Sequence, residues 1–528
     1  MSQTQTDEEP MTHRQVLEAL SGLLLALFVA MVSSTIVSTA LPKIIGALNG
    51  TQTQYTWVVT ATLLAATATT PIWGKLADLY SKKILVQASI VIFVLGSMIS
   101  GLAQNTGELI AARAFQGIGV GGLQALVQVV IAAMIPPRER GRYNGYLGGV
   151  MAVATVGGPL LGGLIVDTSW LGWRWCFFVG VPVAILALIV LQRTLHVATI
   201  RRDNVKIDYA GAGLIAAGVS VLLIWVSFVD NTFAWLSWQT AVMVIGGLLL
   251  LAIAVWVESR AAEPVVPLPI LARRTTALSI LASLAVGMAM FGGAVFLGQY
   301  FQIGRGYTPT QAGLLTIPLM AGVLVSSIVV GRLITRTGKI KPYILTGTIV
   351  LVAGFAALAT VDHETSLVYV GAGMLLVGVG VGMSMQNLVL AVQNTVPLKD
   401  IGAASSTVAF FRSLGGTIGV SVLGAVLARR VTTNITDSLA AAGIQAPAGG
   451  EQTSNLNLSA LPEAMQHIVR AAYGDATGHI FLISAAIAVV GVIAAVFMRP
   501  ATLRSTLDLS TAKAAESADQ PIGAGAGK

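Results

Sequence analysis

The segments Gly74-Lys75-Leu76-Ala77-Asp78-Leu79-Tyr80-Ser81-Lys82-Lys83 and Gly331-Arg332-Leu333-Ile334-Thr335-Arg336-Thr337-Gly338-Lys339-Ile340 decide the fold. Each follows an apolar stretch, and each has glycine first, a basic residue second, leucine third and lysine ninth. Two unrelated basic turns are the bland alternative. A short basic loop recurring at the same place in two halves of a chain is the mark of an internally duplicated membrane fold.

Composition agrees. Of 528 residues, 55% are hydrophobic and only 10% charged, against about 25% charged in a soluble protein. So few charges cannot cover a water-facing surface, which excludes a string of ordinary soluble domains. The net charge of +8, from 31 Lys+Arg and 23 Asp+Glu, calls for no nucleic-acid partner. Basic residues on so apolar a chain gather in loops on one side of a membrane. One cysteine, Cys176, forbids an internal disulfide and leaves no cluster for zinc or iron–sulfur. The expectation is an all-α polytopic membrane protein with no metal site.

A membrane-crossing helix needs about 20 mostly apolar residues. Fourteen stretches qualify: 19–41, 54–73, 84–104, 109–135, 143–166, 176–193, 209–229, 239–257, 277–301, 312–333, 343–361, 367–393, 402–427 and 479–498. Trp57 and Trp73 bracket the second, about 24 Å apart along a helix, as two interfacial belts would. The first 18 residues include Asp7, Glu8, Glu9 and Arg14 and lack the apolar core and cleavage site of a signal peptide. The first span is therefore expected to stay as an anchor. With the N-terminus inside, 23 basic residues fall in inner segments and six in outer ones; only Arg113 and Arg412 lie within spans. That imbalance places both termini in the cytoplasm, with the chain spanning the cytoplasmic membrane.

The expected organisation is a cytoplasmic tail, 1–18; a six-helix bundle, 19–194; a linker, 195–208; two additional helices, 209–257; and a second linker, 258–275. A second six-helix bundle, 276–498, and a disordered cytoplasmic tail, 499–528, complete it. Segment 428–478 is the one long outer loop. Within it Leu461, Met465, Ile468, Val469 and Ala472 follow helical spacing, which predicts a short amphipathic helix lying on the outer face.

Charges and amides inside spans are costly and mark function by default. Arg113 lies about 8 Å in from the outer end of its span. Gln116, Gly117, Gln124 and Gln128 fall within about 60° of its direction on a helical wheel. This polar stripe is expected to face a water-filled cavity or neighbouring helices. Gln386 and Gln393 share a face of span twelve, Ser34 and Ser38 are one turn apart in span one, and Gln299 lies near the outer end of span nine. Arg412 is about 17 Å into span thirteen. Amides and hydroxyls orient a ligand without demanding a charge, and interhelical hydrogen bonding is the competing reading for each amide and hydroxyl; for Arg412 a structural or gating role is preferred over direct substrate contact.

Several motifs stand in order along these spans. Gly74-x-Leu-x-Asp78 followed by Lys82 and Lys83 resembles the signature loop of the major facilitator superfamily. Leu109-x-x-x-Arg113-x-x-Gln116-Gly117-x-Gly119 resembles its fourth-helix motif, and Ala154-x-x-x-Gly158-Pro159-x-x-Gly162-Gly163 the fifth-helix motif of its antiporters. With Trp173-Arg174-Trp175 and fourteen spans, the chain looks like the drug:proton antiporter branch that includes quaternary-ammonium and multidrug exporters. The resemblance implies two six-helix bundles plus two extra linker helices. It implies a gating set of Gly74, Asp78, Lys82, Lys83 and Arg142, with Gly158, Pro159, Gly162 and Gly163 as a hinge or packing seam.

Asp78 is expected to pair with an arginine of the Arg138/Arg140/Arg142 loop and to sit at the positive end of a neighbouring helix, latching an inner gate. The sequence departs from the family where Ser33 stands in place of the first-helix aspartate two residues before Thr35-Ile36-Val37, and where Ser81 replaces a loop glycine. No acidic residue lies mid-span. Asp167, at the outer end of span five, is the proton-coupling candidate, with Arg113 expected at similar depth beside it, against the plainer reading of Asp167 as an interfacial cap.

The function implied is proton-driven export of small amphipathic molecules by a monomer in the lipid bilayer, with the proton gradient as energy source and no cofactor. A lipid or native-metabolite exporter is the second reading. A membrane-embedded transferase or a non-transporting sensor is a third class; the five scattered histidines show no ligand spacing, and no phosphate-binding glycine loop occurs.

Overall fold

The computed structural model describes residues 13–48, 52–168, 170–195, 208–229, 233–261, 264, 268–397, 400–441, 463–500 and 502–504. Most of the first linker, a short part of the second, the middle of segment 428–478 and the tail beyond 504 lie outside the described residues.

The helices are α1 (His13–Ala47), α2 (Gln52–Leu79), α3 (Lys82–Leu102), α4 (Thr106–Met134), α5 (Pro137–Asp167), α6 (Trp175–Phe178), α7 (Gly180–Thr194), α8 (Tyr209–Phe228) and α9 (Trp238–Glu258). The second half holds α10 (Leu268–Leu271), α11 (Arg274–Gln299), α12 (Pro309–Leu315), α13 (Ile317–Thr337), α14 (Lys341–Leu358), α15 (Leu367–Gln393), α16 (Ile401–Ala441) and α17 (Glu463–Phe497). A π-helical turn, Tyr300–Gly304, prolongs α11. Among the described residues, extended structure is limited to two isolated bridges. Helices satisfy their own backbone, as a bilayer requires.

Local chemistry sets the ends. The Asn105 side chain accepts from the Glu108 N–H and Glu108 reaches back to the Gln104 N–H, closing the start of α4. Pro137 opens α5, where a missing N–H costs nothing. Gly338, at φ +67°, ends α13 in the left-handed region. Ser81, its counterpart in the first repeat, has φ −59°, so a serine there carries no strain.

Among the described residues, twelve helices are long and apolar enough to cross a membrane. The chain is a multi-pass membrane protein. The two other expected spans are helical but fall outside the twelve. In α8 the apolar part, Ala210–Val226, is short, and α2 is diluted by Thr60, Thr62, Thr67, Thr69 and Thr70.

Segment 428–478 corrects an expectation. α16 continues to Ala441 and α17 already begins at Glu463, so much of the expected loop is helix. Val431, Ile435 and Leu439, one per turn, pack against Ala472, Ala476 and Ile480. The expected surface-lying helix is instead the first turns of α17. Its apolar positions Ile468 and Val469 join this α16–α17 cluster rather than a membrane surface.

Within the first half α4 packs on α2 and α3, and α1 on α5 and α7; within the second, α11 packs on α16 and α17, and α15 on α13 and α14. Two pairs make the principal junction between the halves, α2 with α16 and α5 with α13, and α4 with α16 adds to it. The second helix of each half thus meets the fifth of the other, the exchange expected of a duplicated chain about a pseudo-two-fold axis. The additional helices α8 and α9 pair with each other, and α8 leans on α2 and α16. Along α9, Val242, Ile245, Leu248 and Trp256 are exposed, an apolar face suited to lipid.

Candidate functional site

The end of the molecule carrying the basic loops is where the halves are tied. Asp78, in the last turn of α2 and five residues past the expected span, accepts from the Gly402 N–H at 2.7 Å and the Ala403 N–H at 2.8 Å. These belong to the first turn of α16, whose N–H groups have no partner within the helix. A carboxylate there also meets the positive end of the helix dipole. Burial pushes the Asp78 carboxyl up to about 7, against the opposing pull of those two N–H groups and of Lys82 and Lys75. One turn earlier Gly74 lies so close to α16 that a Cβ would stand 2.7 Å from the Gly402 carbonyl oxygen. Glycine is what allows this approach.

The second crossing uses Gly141 of α5 and Gly331 of α13. A Cβ on Gly141 would stand 2.6 Å from the Gly331 carbonyl oxygen. Beside it Arg138 donates to the carbonyls of Thr335 at 3.2 Å and Arg336 at 3.3 Å, covering the end of α13. Arg140 is 1% exposed. It donates to the Ala132 carbonyl at 2.6 Å, the Ile135 carbonyl at 2.7 Å and Gln393 Oε1 at 2.8 Å. The Gln393 amide donates onward to Ser405 Oγ at 2.9 Å. A single guanidinium therefore closes the end of α4 and ties it through α15 to α16.

Residues 502–504 lie across this junction as a strap. Leu503 N–H donates to Gly338 O at 2.8 Å, and Arg504 N–H to Asn394 Oδ1 at 3.1 Å. The Arg504 guanidinium donates to the carbonyls of Gln393 and Val396, while Arg138 N–H of the first half donates to Arg504 O at 3.0 Å. Deeper in, Gln128 of α4 donates to Gln386 of α15 at 2.6 Å. These cross-half hydrogen bonds all lie on this side of the molecule, so the basic end is closed.

Some expected site residues meet here and others do not. Gly74, Asp78, Gln128, Gln386 and Gln393 line the seam. Arg142, expected in the gate, is exposed; helix α5 turns it outward and brings Arg140 in. Lys83 donates to the Gln192 carbonyl of its own half at 2.7 Å, and Lys82 stands near enough to Asp78 to feel its charge. Gly158 and Gly162 seat α5 on Thr35 and Ile36 of α1, and Thr35 Oγ1 donates to the Ala154 carbonyl at 3.2 Å. Pro159 faces Gly313 of α12 across the halves, and Gly163 is half-buried.

Arg113 is 3% exposed and turned toward α3: it donates to Gln116 Oε1 at 2.6 Å, and Gln116 donates to Ser97 Oγ at 2.7 Å. The expected single stripe therefore divides. Arg113 and Gln116 serve the α3–α4 seam, where Gly96 lets the helices approach, and Gln128 alone reaches the other half. Gln124 is half-buried, as is Ser34, which accepts through its carbonyl from the exposed Ser38 hydroxyl at 2.9 Å. The side chains of Asp167 and Gln299 lie outside those described. α4 and α5 scarcely touch, each packing on other partners; the expected Arg113–Asp167 neighbourhood needed them side by side.

Arg138, Arg140 and Arg504 carry much of the closure; the sequence offered Arg138 and Arg140 only as partners for Asp78, whereas they bond helix-end carbonyls and Gln393, and Arg504 was not singled out. A signal existed for Arg140: Pro136-Pro137 forces α5 to start directly under α4, which aims an early α5 side chain at the open carbonyls of α4.

Comparison with known proteins defines the class. A family model described as the Major Facilitator Superfamily matches residues 23–208 and 208–420. The chain belongs to this family and is a membrane transporter. It is 36% identical over 420 residues, covering 80% of this chain and 77% of the relative, to the multidrug transporter protein MdtP of Bacillus subtilis. It is 32% identical over 502 residues, 93% of this chain and 85% of the relative, to the efflux pump dotC of Dothistroma septosporum. Among solved structures its fold is similar to that of the proton:xylose symporter XylE bound to 6-bromo-6-deoxy-D-glucose, with TM-score 0.62, 14% identity, and 95% and 100% of the two chains covered.

Proposed function

We propose that this transporter is a secondary active exporter of amphipathic small molecules, crossing the cytoplasmic membrane fourteen times as a monomer with both termini inside and exchanging substrate for protons. The observation that carries the reading is the closed basic end. Two halves tied at one end by the hydrogen bonds found among the described residues can rock about that contact, which is the geometry alternating access requires. With the basic loops inside, the described conformation is the one closed to the cytoplasm. Export of toxic or drug-like compounds is supported by the names of the relatives, and proton antiport by the resemblance of the Gly158-Pro159 segment to that of antiporters.

Flux in proteoliposomes, with and without an imposed pH gradient, tests it across cationic, anionic, neutral and lipid-like compounds. Gradient-driven flux of an amphipathic drug supports the reading. Flux of lipids alone would replace it with lipid export, and no flux of any compound would leave a sensor. Asp167→Asn, assayed alongside, tests whether this outer-end carboxylate carries the proton: an unchanged dependence on the gradient rules it out.

A further inference from the structure

Arg412 stands eleven residues up α16, about 17 Å from its start. It is 8% exposed, its Nη1 is buried without a partner, and it makes no hydrogen bond among the described residues. Every acidic residue of the described helices lies at or beyond the ends of the apolar spans. A cation at that depth with no counter-charge is expensive, and no partner among the described residues offsets it.

The surroundings are set by register. α15 and α16 run antiparallel, and Gln393 bonds Ser405 at their basic ends. Seven residues along each, two turns and about 10 Å on, bring Gln386 and Arg412 to one height on the same faces. Gln386 already reaches Gln128 of the other half. At this face Val408, one turn below Arg412, joins a cluster with Ala132 of α4 and Val389 of α15. Gly287 of α11 packs on the Arg412 backbone, closing the side away from the seam. The layer thus holds one unpaired guanidinium and two amides at the contact that parts when the halves separate.

We infer that Arg412, with the amides of Gln386 and Gln128, receives the anionic headgroup of an amphiphilic substrate as the halves part. The inference rests on the transport reading above and gives its substrates a charge. A carboxylate accepts from the guanidinium in bidentate geometry, and the amides orient its remaining lone pairs. The apolar walls of the seam take the rest of the molecule.

The test is equilibrium binding of three pyrene probes of one scaffold, 1-pyrenebutyrate, its primary amide and the corresponding amine, to the purified full chain, read by energy transfer from tryptophan. Wild type should bind the carboxylate about tenfold or more tighter than the amide. Arg412→Gln should erase that preference while leaving amide binding in place; Arg412→Lys should keep part of it, and Gln386→Leu should weaken it. No carboxylate binding by wild type, equal binding of carboxylate and amide, or an unchanged preference in Arg412→Gln overturns the inference. Should Arg412→Gln fail to fold, by gel filtration and thermal melting, the wild-type preference and the Arg412→Lys variant decide. Binding is read without flux, so an Arg412-dependent preference with no flux in vesicles sinks the transport reading and not this one. Gradient-driven flux with no charge preference does the reverse.

Discussion

Asp78 is held by the N–H groups of Gly402 and Ala403, which belong to the other half of the molecule. Its carboxyl is pushed by burial up to about 7 in this closed arrangement. Once the halves part, water reaches it and its affinity for a proton returns to the ordinary carboxylate range. A group that binds its proton more tightly in one state favours that state as pH falls. The bias toward closure is therefore full below the ordinary carboxylate range and is lost as pH rises through about 7. Spin labels on Tyr80→Cys and Arg332→Cys, exposed sites on opposite halves, in a Cys176→Ser background, measure this. The short-distance population should grow from about pH 8 to about pH 6. Asp78→Asn should show no such response; an undiminished one would assign it to another group. Asp78→Ala, which orphans both N–H groups, should shift the balance toward opening by about 2 kcal/mol.

At the scale of elements, the closure depends on how helix ends meet. Arg140 on the end of α4 and Arg138 on the end of α13 satisfy carbonyls that those helices leave open. The strap 502–504 adds bonds to both halves. Deleting residues 501–528 removes these bonds, whereas deleting 505–528 keeps them. The first deletion should raise the open population about tenfold, the effect of losing one or two net hydrogen bonds, and the second should leave it unchanged. The same label pair reads both; equal behaviour of the two truncations would deny the strap its role. The long outer pair of α16 and α17 was hidden in the sequence because Arg429, Arg430 and Thr432 to Thr436 interrupt the apolar run. Only the facing of Val431, Ile435 and Leu439 onto α17 makes that stretch a packed helix.

Over the whole molecule, transport by rocking requires that Gln128 and Gln386, now bonded across the halves, separate in each cycle. With both replaced by cysteine in the Cys176→Ser background, a bis-methanethiosulfonate, which joins two thiols through disulfides, should abolish flux, and reductant should cleave those disulfides and restore it. Continued flux in the cross-linked protein would mean that the seam does not open there. The positions of nearly all the helices, their duplication and the importance of the glycine and aspartate now found at the cross-half contact were legible in the sequence, because apolar length and a repeated basic loop depend on nothing beyond neighbouring residues. The partners of Asp78, the inward turn of Arg140 in place of Arg142 and the division of the Arg113 stripe were settled only by tertiary structure. A helical wheel gives a side chain's direction about its own axis, but which helix stands there, and whether its carbonyls are open, follows from how two bundles pack together.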